Sequence, residues 1–162
     1  MSILQLFSEL KMYDDSVVLF EPPALDYQIA ETENYIGVAL PDEYKEFVRK
    51  SNGLEFGSEY ILRVGNNIRP QAYSINEVYD FEHNQSSNPM PHNLIPFSPD
   101  GYGNHYCFDI NQRGVIVFWQ HDYEYSDEDR PEIVYNSMKD MIQEVFIKWG
   151  NYNYDGSSKE VQ

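Results

Sequence analysis

The chain has one cysteine and few basic residues, and each shortage excludes a class of protein. Cys107 is the single cysteine among 162 residues, so no disulfide can form within the chain. Lysine and arginine number 11 against 27 aspartates and glutamates, which gives a formal net charge of -16. Phosphate backbones and anionic membrane surfaces repel such a chain. The composition therefore predicts that neither nucleic acid nor a membrane is its partner.

Long hydrophobic runs and glycine-rich phosphate cradles are also missing. No apolar stretch approaches the roughly 18 residues that a membrane-spanning helix needs. Residues 1–3 do not begin a basic segment followed by an apolar run, so we expect no signal peptide and a cytoplasmic protein. Gly101-Tyr102-Gly103 lacks the third glycine, the following helix and the lysine of a nucleotide site, and predicts a turn with positive φ.

The residues that are present favour a folded domain. Hydrophobic residues make up 41% of the chain and aromatic residues 15%, which is enough for a substantial core despite the charge. We expect one domain over residues 1–150, with an N-terminal helix over 1–20, a core over 29–149 and a mobile polar tail over 151–162. That first helix has apolar residues at helical spacing, Ile3, Leu6, Phe7 and Leu10, which favour a lid on the core over the alternative of a partner surface.

The stretch from Ile29 to Gly53 has the most regular pattern and predicts two helices joined by a tight corner. Gly37 stands where a helix would end in a left-handed residue, and Pro41 fits the first position of a new helix, where its missing N–H costs nothing. Asn52-Gly53 is predicted to end that second helix. The residues that define this pattern, which we call the helix pair, are Glu33, Gly37, Leu40, Pro41, Tyr44, Phe47, Asn52 and Gly53.

Downstream, short alternating segments predict strands, and a longer apolar period predicts a final helix. We expect strands over 59–64, 94–97, 105–110, 115–119 and 133–135, a short helix after Ser74, and a loop over 83–92. Apolar residues at spacings of three and four predict an amphipathic last helix that Gly150 stops, with its buried face at Met138, Met141, Ile142, Val145, Phe146 and Trp149. This order predicts an α+β fold, with helices packed on a mainly antiparallel or mixed sheet.

The helix pair and the later turn resemble the SUKH superfamily, the group of the yeast Smi/Knr cell-wall regulator and of many bacterial immunity proteins. In the turn, Asp100, Gly101 and Gly103 also match the pattern of the family. The resemblance as a whole covers residues 29–149. The resemblance implies a SUKH-like α+β fold and a non-enzymatic, protein-binding role. It implies an immunity protein that neutralises a toxin, often a nuclease. The yeast member implies the alternative of a regulatory scaffold with no toxin.

An acidic, tyrosine-bearing segment from Asp122 to Asp129, called here the acidic loop, would suit the first role. It holds five acidic residues and two tyrosines in eight positions. Carboxylates pair with arginine, and tyrosines give rigid contact area. We therefore expect a basic protein partner, such as a toxin domain, to bind at Tyr123, Glu124, Tyr125, Asp127, Glu128 and Asp129. The alternative interpretation is a solvated loop that only keeps the chain soluble. The sequence leaves the oligomeric state open.

One group of residues admits a chemical interpretation. His105, Cys107 and Asp109 alternate along a predicted strand and would share one face, as the ligands of a metal or the parts of a thiolate site could. No fourth ligand is evident, and nothing in the sequence orients the histidine. We therefore predict no catalytic residue, no metal and no cofactor, and a small enzyme using these three residues is the third hypothesis. A fully buried thiol would exclude it.

Overall fold

The computed structural model describes residues 1–66 and 73–153. The helices of these residues are α1 (Ile3–Leu10), α2 (Asp26–Ile36), α3 (Asp42–Val48), α4 (Ile75–Asp80), α5 (Met138–Met141) and α6 (Trp149–Asn153). The strands are β1 (Val18–Phe20), β2 (Leu54–Phe56), β3 (Glu59–Ile61), β4 (Leu94–Pro99), β5 (His105–Asp109), β6 (Val115–Trp119) and β7 (Glu132–Tyr135). Within the described ranges no helix has both the length and the apolar character needed to cross a membrane.

The strands form two antiparallel sheets, in the order β1-β2-β3 and β4-β5-β6-β7. The two sheets are joined where the chain leaves β3. There the Leu62 amide donates to the Phe97 carbonyl at 2.8 Å, and the Ser98 hydroxyl donates to the Tyr60 carbonyl at 2.6 Å. These bonds cover one edge of β4, so β7 is the outer strand at the other end of its sheet. The predicted α+β class, with helices on an antiparallel sheet, is confirmed.

The corner of the helix pair forms as predicted. Gly37 ends α2 in the left-handed conformation, with φ of 78°. Pro41 immediately precedes α3, whereas it was predicted to be the first residue of that helix. A Glu33 carboxylate oxygen accepts from the Leu40 amide at 2.8 Å and lies 3.8 Å from the Lys45 ammonium. The glutamate thus satisfies an amide in the corner that has no helical partner, which fixes the direction in which α3 leaves.

Asn52 and Gly53 have a different role from the predicted helix end, because α3 already ends at Val48. The Asn52 side chain bonds the backbone of Val64 at both ends: its amide donates to the carbonyl at 3.1 Å, and its oxygen accepts from the N–H at 2.9 Å. Gly53 has φ of 93°, and a Cβ there would lie 3.0 Å from the Ile61 carbonyl oxygen. Both residues therefore position the chain that follows β3.

The main core lies between the helices and one face of the sheets. The four residues of α1 predicted on its apolar face, Ile3, Leu6, Phe7 and Leu10, are all buried in it, so this helix covers the core as predicted. Phe108 of β5 lies at the junction, with the Phe97 ring stacked on it at 4.1 Å between centroids and Tyr44 of α3 edge-on at 5.8 Å. The Tyr44 hydroxyl donates to the Leu62 carbonyl at 2.6 Å. The helix pair is thus bonded to the sheet through one aromatic cluster.

Several predicted boundaries were wrong. The N-terminal helix ends at Leu10, and Val18–Phe20 is a strand paired with β2. The strand predicted over 59–64 ends at Ile61, because the next residues turn to join β4. The loop predicted over 83–92 begins as a π-helical continuation of α4, Phe81–Gln85. The added turn keeps its backbone groups bonded while Glu82 and His83 are buried.

The last helix departs most from the prediction. A π-helical segment, Ile142–Lys148, separates α5 from α6, and its wider turn changes which residues face inward. Ile147 is buried, whereas Trp149, predicted on the buried face, is 67% exposed.

Gly150 does not stop this helix, which continues to Asn153. It allows a close approach instead, since a Cβ there would lie 2.4 Å from Cζ of Phe56. Residues 151–153 of the predicted tail are therefore helical, and the rest of that tail, 154–162, lies outside the described residues.

Candidate protein-binding surface

The acidic loop connects β6 to β7. It follows Trp119, which is 1% exposed, and therefore begins from a fixed point at the end of a strand. Asn88 holds its first residues, because one side-chain N–H₂ donates to the His121 carbonyl at 2.9 Å and to the Tyr123 carbonyl at 3.0 Å. The loop is thus bonded to the segment that follows α4, as well as to the sheet.

Bonds within the loop give it a defined shape. Ser126 and Asp129 exchange two backbone hydrogen bonds, each 3.1 Å long. The Tyr123 hydroxyl donates to the Asp129 carboxylate, and the Tyr123 and Tyr125 rings lie 4.7 Å apart. A loop with this many internal bonds loses less conformational entropy when it binds a partner than an irregular one would.

The two tyrosines differ in what they offer a partner. Tyr125 packs on a small second core, formed on the other face of the large sheet by Met90, Leu94, Cys107, Val117 and Trp119. Its hydroxyl accepts from the Gln120 amide at 3.1 Å, and burial raises its pKa. Tyr123 is 43% exposed, and its pKa is raised by the hydrogen bond to Asp129 and the charge of that carboxylate. Tyr125 therefore anchors the loop, while Tyr123 is available at the surface.

The carboxylates of the loop are exposed, as a docking surface requires. Glu124, Asp127, Glu128 and Asp129 all lie on the outside. Arg130, the first base after them, donates from Nε to the Asp127 backbone carbonyl at 3.0 Å. The Asp129 carboxylate already accepts a hydrogen bond from Tyr123. Glu124, Asp127 and Glu128 are therefore the acidic groups best placed to meet a cationic side chain of a partner.

The structure brings His105, Cys107 and Asp109 onto one strand face, as predicted, but that face is buried. The exposed fractions of the three residues are 5%, 0% and 5%. The covering layer is the segment after α4, which supplies Met90 beside the Cys107 sulfur at 4.0 Å. Among the described residues, no group of three or more His, Cys, Asp or Glu side chains could hold a metal ion.

Each of the three residues has a structural role there. The Asp109 carboxylate accepts from the Asn111 amide at 3.0 Å and from Asn93 and Gln112 side chains at 2.9 and 2.6 Å, which fixes the turn before β6. His105 Nε2 lies 3.2 Å from a Glu82 carboxylate oxygen. The sequence reasoning missed this buried pair, because Glu82 was placed just before a loop.

Cys107 is expected to be inert to thiol reagents in the folded protein. Burial raises the pKa of its thiol, and the charges of Glu82 and Asp109 raise it further, so the reactive thiolate is disfavoured as well as inaccessible. Ellman's reagent should therefore label the chain no faster than it unfolds, and at once in denaturant. Rapid labelling of the native protein would show that the strand face opens locally and would restore the thiol hypothesis.

A second exposed surface was not predicted. Tyr106 and Tyr135 of the large sheet, with Val145, Trp149 and Tyr152 of the last helix, line a groove of about 540 Å³. The sequence pattern could not indicate it, because a regular helical period assigns Trp149 to the core. The strand alternation did place Tyr106 on the face opposite Cys107.

Comparison with known proteins gives a family and a fold. The family SUKH_6, described as SMI1-KNR4 cell-wall, matches residues 26–142. The Bacillus subtilis (strain 168) SPbeta prophage-derived uncharacterized protein YokK is 26% identical over 156 residues, which covers 80% of this chain and 79% of that protein. The uncharacterized protein YnaB of the same strain is 33% identical over 101 residues, covering 61% and 59%.

A solved structure shares the fold. The crystal structure of a protein from Pseudomonas syringae pv. tomato superposes with a TM-score of 0.69 at 18% identity, covering 90% of this chain and 98% of that one. The family match includes the helix pair, the turn at Gly101 and all of the large sheet. On these grounds the chain belongs to the SMI1-KNR4 family of the SUKH superfamily.

Proposed function

We propose that this protein is a non-enzymatic immunity protein that binds and neutralises a basic toxin domain, such as a nuclease. The observation that carries the proposal is the acidic loop: exposed carboxylates on a loop that is held by its own bonds and by Asn88. The net charge of -16 supports it, since such a field steers a basic protein toward the chain. The family match supports a protein-binding role more generally.

The proposed mechanism is occlusion. A nuclease binds its substrate through arginines and lysines that contact phosphates. The carboxylates of Glu124, Asp127 and Glu128 would pair with those arginine and lysine side chains in place of phosphates. The Tyr123 ring would fill the space beside them. Because no bond is made or broken, the inhibition would be reversible and would weaken as salt rises.

Reversing the charge of the loop should slow association with the toxin. In the variant Glu124→Lys, Asp127→Lys, Glu128→Lys, we expect the association rate to fall roughly ten-fold at low salt, with a smaller salt dependence, because long-range attraction is lost. Stopped-flow kinetics would measure it with the basic protein that the chain captures from its host cell. Cells that coexpress that protein with the variant should also lose their protection from the toxin.

The matched control carries the same change in net charge elsewhere on the surface. Glu46, Glu55 and Glu77 are exposed on α3, β2 and α4, so Glu46→Lys, Glu55→Lys, Glu77→Lys provides it. An equal slowing in both variants would remove the loop from the interface and leave only the overall charge.

A gene for a large secreted toxin beside this one would favour immunity over the regulatory scaffold.

A further inference from the structure

A cavity of about 240 Å³ lies between the acidic loop, the segment before β4 and the end of β5. Leu94 and Val117 of the second core line its apolar side, together with Tyr125. Asp109 and Asp127 also line it, the first at the end of β5 and the second in the acidic loop. Binding sites for drug-sized molecules occupy roughly 300–1,000 Å³, so this cavity suits one long side chain.

Asp109 brings a buried negative charge to the cavity. It is 5% exposed, and strand alternation places its side chain on the face of β5 that carries the second core. The three groups that donate to its carboxylate are neutral: the Asn111 amide and the side chains of Asn93 and Gln112. In the part of the chain that the structure describes, no lysine or arginine forms an ion pair with it. Because buried charges are normally paired, this carboxylate indicates a cation supplied from outside the chain.

The remaining bonding capacity of Asp109 fits an ammonium better than a guanidinium. A carboxylate has about four acceptor positions, two on each oxygen. Oδ1 accepts from Asn111 and Asn93, and Oδ2 accepts from Gln112, so one position on Oδ2 is left. Arginine pairs with a carboxylate through two parallel bonds, whereas the ammonium of lysine acts as a point charge and needs a single acceptor.

We propose that the cavity receives a lysine side chain of the basic protein partner. The four-carbon stem of the lysine would lie along the apolar side, and its ammonium would meet the Asp109 carboxylate. Asp127 is exposed where it lines the cavity, and it would add a second negative charge there. This assignment rests on the proposed function, because the acidic loop forms one wall of the cavity. It adds a buried anchor to an interface otherwise made of exposed carboxylates.

Arg130 is the base in the lining of the cavity. Its Nε donates to the Asp127 backbone carbonyl at 3.0 Å, and its guanidinium forms no ion pair with a lining carboxylate of the described residues. Arg130 therefore does not neutralise Asp109. Its positive charge would oppose an incoming ammonium, so its removal should strengthen the binding of lysine.

Binding of small probes to the whole chain would be measured by NMR. The side-chain amide signal of Asn93, which donates to Asp109, reports on the cavity, and that of Asn52, which donates to Val64, is the remote reference. The probes are the N-acetyl methylamides of lysine, arginine and norleucine, and norleucine has the stem of lysine without the ammonium. We expect the lysine probe to move the Asn93 signal most, the arginine probe less and the norleucine probe least, while the Asn52 signal stays in place.

Pairs of variants with equal changes in charge separate the cavity from general attraction, and all four positions are exposed. Asp127→Asn should weaken binding of the lysine probe roughly two- to five-fold, as expected for one lost ion pair at the surface. Glu132→Gln, which lies outside the lining, should weaken it by less than about 1.5-fold, because salt screens its charge. Arg130→Gln should strengthen binding roughly two-fold, whereas Lys50→Gln, just after α3, should leave it nearly unchanged.

No movement of the Asn93 signal with the lysine probe would overturn the assignment. Equal weakening in Asp127→Asn and Glu132→Gln would overturn it as well, and so would an Arg130→Gln variant that binds no more tightly than Lys50→Gln. An arginine or norleucine probe that binds as tightly as lysine would contradict the selection of an ammonium by Asp109.

The failure of this assignment can be told apart from a failure of the proposed function. If the probes do not bind and the charge-reversed loop still slows toxin association, the lysine site is wrong and the role of the acidic loop stands. If the lysine probe binds and the charge-reversed loop associates with the toxin at the original rate, the proposed role of the acidic loop is wrong.

Discussion

Replacing Phe108 with alanine is expected to lower the free energy of unfolding by about 3–5 kcal/mol. The ring is fully buried, stacked on Phe97 and edge-on to Tyr44, so its removal leaves a cavity between the helix pair and the sheet. Neighbouring rings cannot fill the space, since Tyr44 is held by its hydroxyl bond to Leu62. Urea unfolding followed by circular dichroism would measure the loss.

The control for Phe108 is the same kind of truncation at an exposed site. Tyr102 lies in the turn between β4 and β5 and is 82% exposed. Tyr102→Ala should change the free energy of unfolding by less than about 0.5 kcal/mol. A loss below about 1 kcal/mol in Phe108→Ala would contradict the packing described for the junction.

Replacing Asn52 with leucine is expected to cost about 3 kcal/mol, although leucine has nearly the same size. Two hydrogen bonds to Val64 are lost, and the backbone N–H and C=O are left buried without partners, at about 1–3 kcal/mol each. For a chain of this size that loss lowers Tm by about 10 °C. Differential scanning calorimetry would measure the shift.

A matched control for Asn52 is Asn136→Leu, at an exposed position after β7. It should leave Tm within about 2 °C, because surface substitutions rarely exceed 0.5 kcal/mol. Equal shifts in the two variants would mean that the amide bonds to Val64 add no net stability. The comparison therefore tests whether the two hydrogen bonds from the Asn52 side chain to Val64 stabilise the fold.

The sequence predicted those elements whose signals are local. The corner at Gly37 and Pro41 depends on backbone preferences of the residues themselves, and both residues lie at the predicted turn. The cap at Ser74 and the strand over 115–119 were likewise predicted from neighbours in the chain. Asn52 was assigned to a helix end because its bonds go to Val64, a pairing that no short-range pattern indicates.

The candidate sites were predicted less completely, for two physical reasons. Alternation correctly placed His105, Cys107 and Asp109 on one face, but it cannot say whether a later segment covers that face. The residues after α4 do so, and this removes the thiol from solvent. The groove was missed because the helical period was taken as constant, whereas the π-helical segment Ile142–Lys148 turns Trp149 outward.

The contact between Gly150 and Phe56 fixes where a stable fragment of this chain can end. The bare backbone of that glycine covers the phenyl ring, and the Tyr13 hydroxyl donates to the Ile147 carbonyl one turn earlier at 3.0 Å. A truncation at the limit of the family match, residue 142, would uncover both aromatic rings and leave that hydroxyl to water. The minimal folding unit therefore extends beyond the portion that the family holds in common.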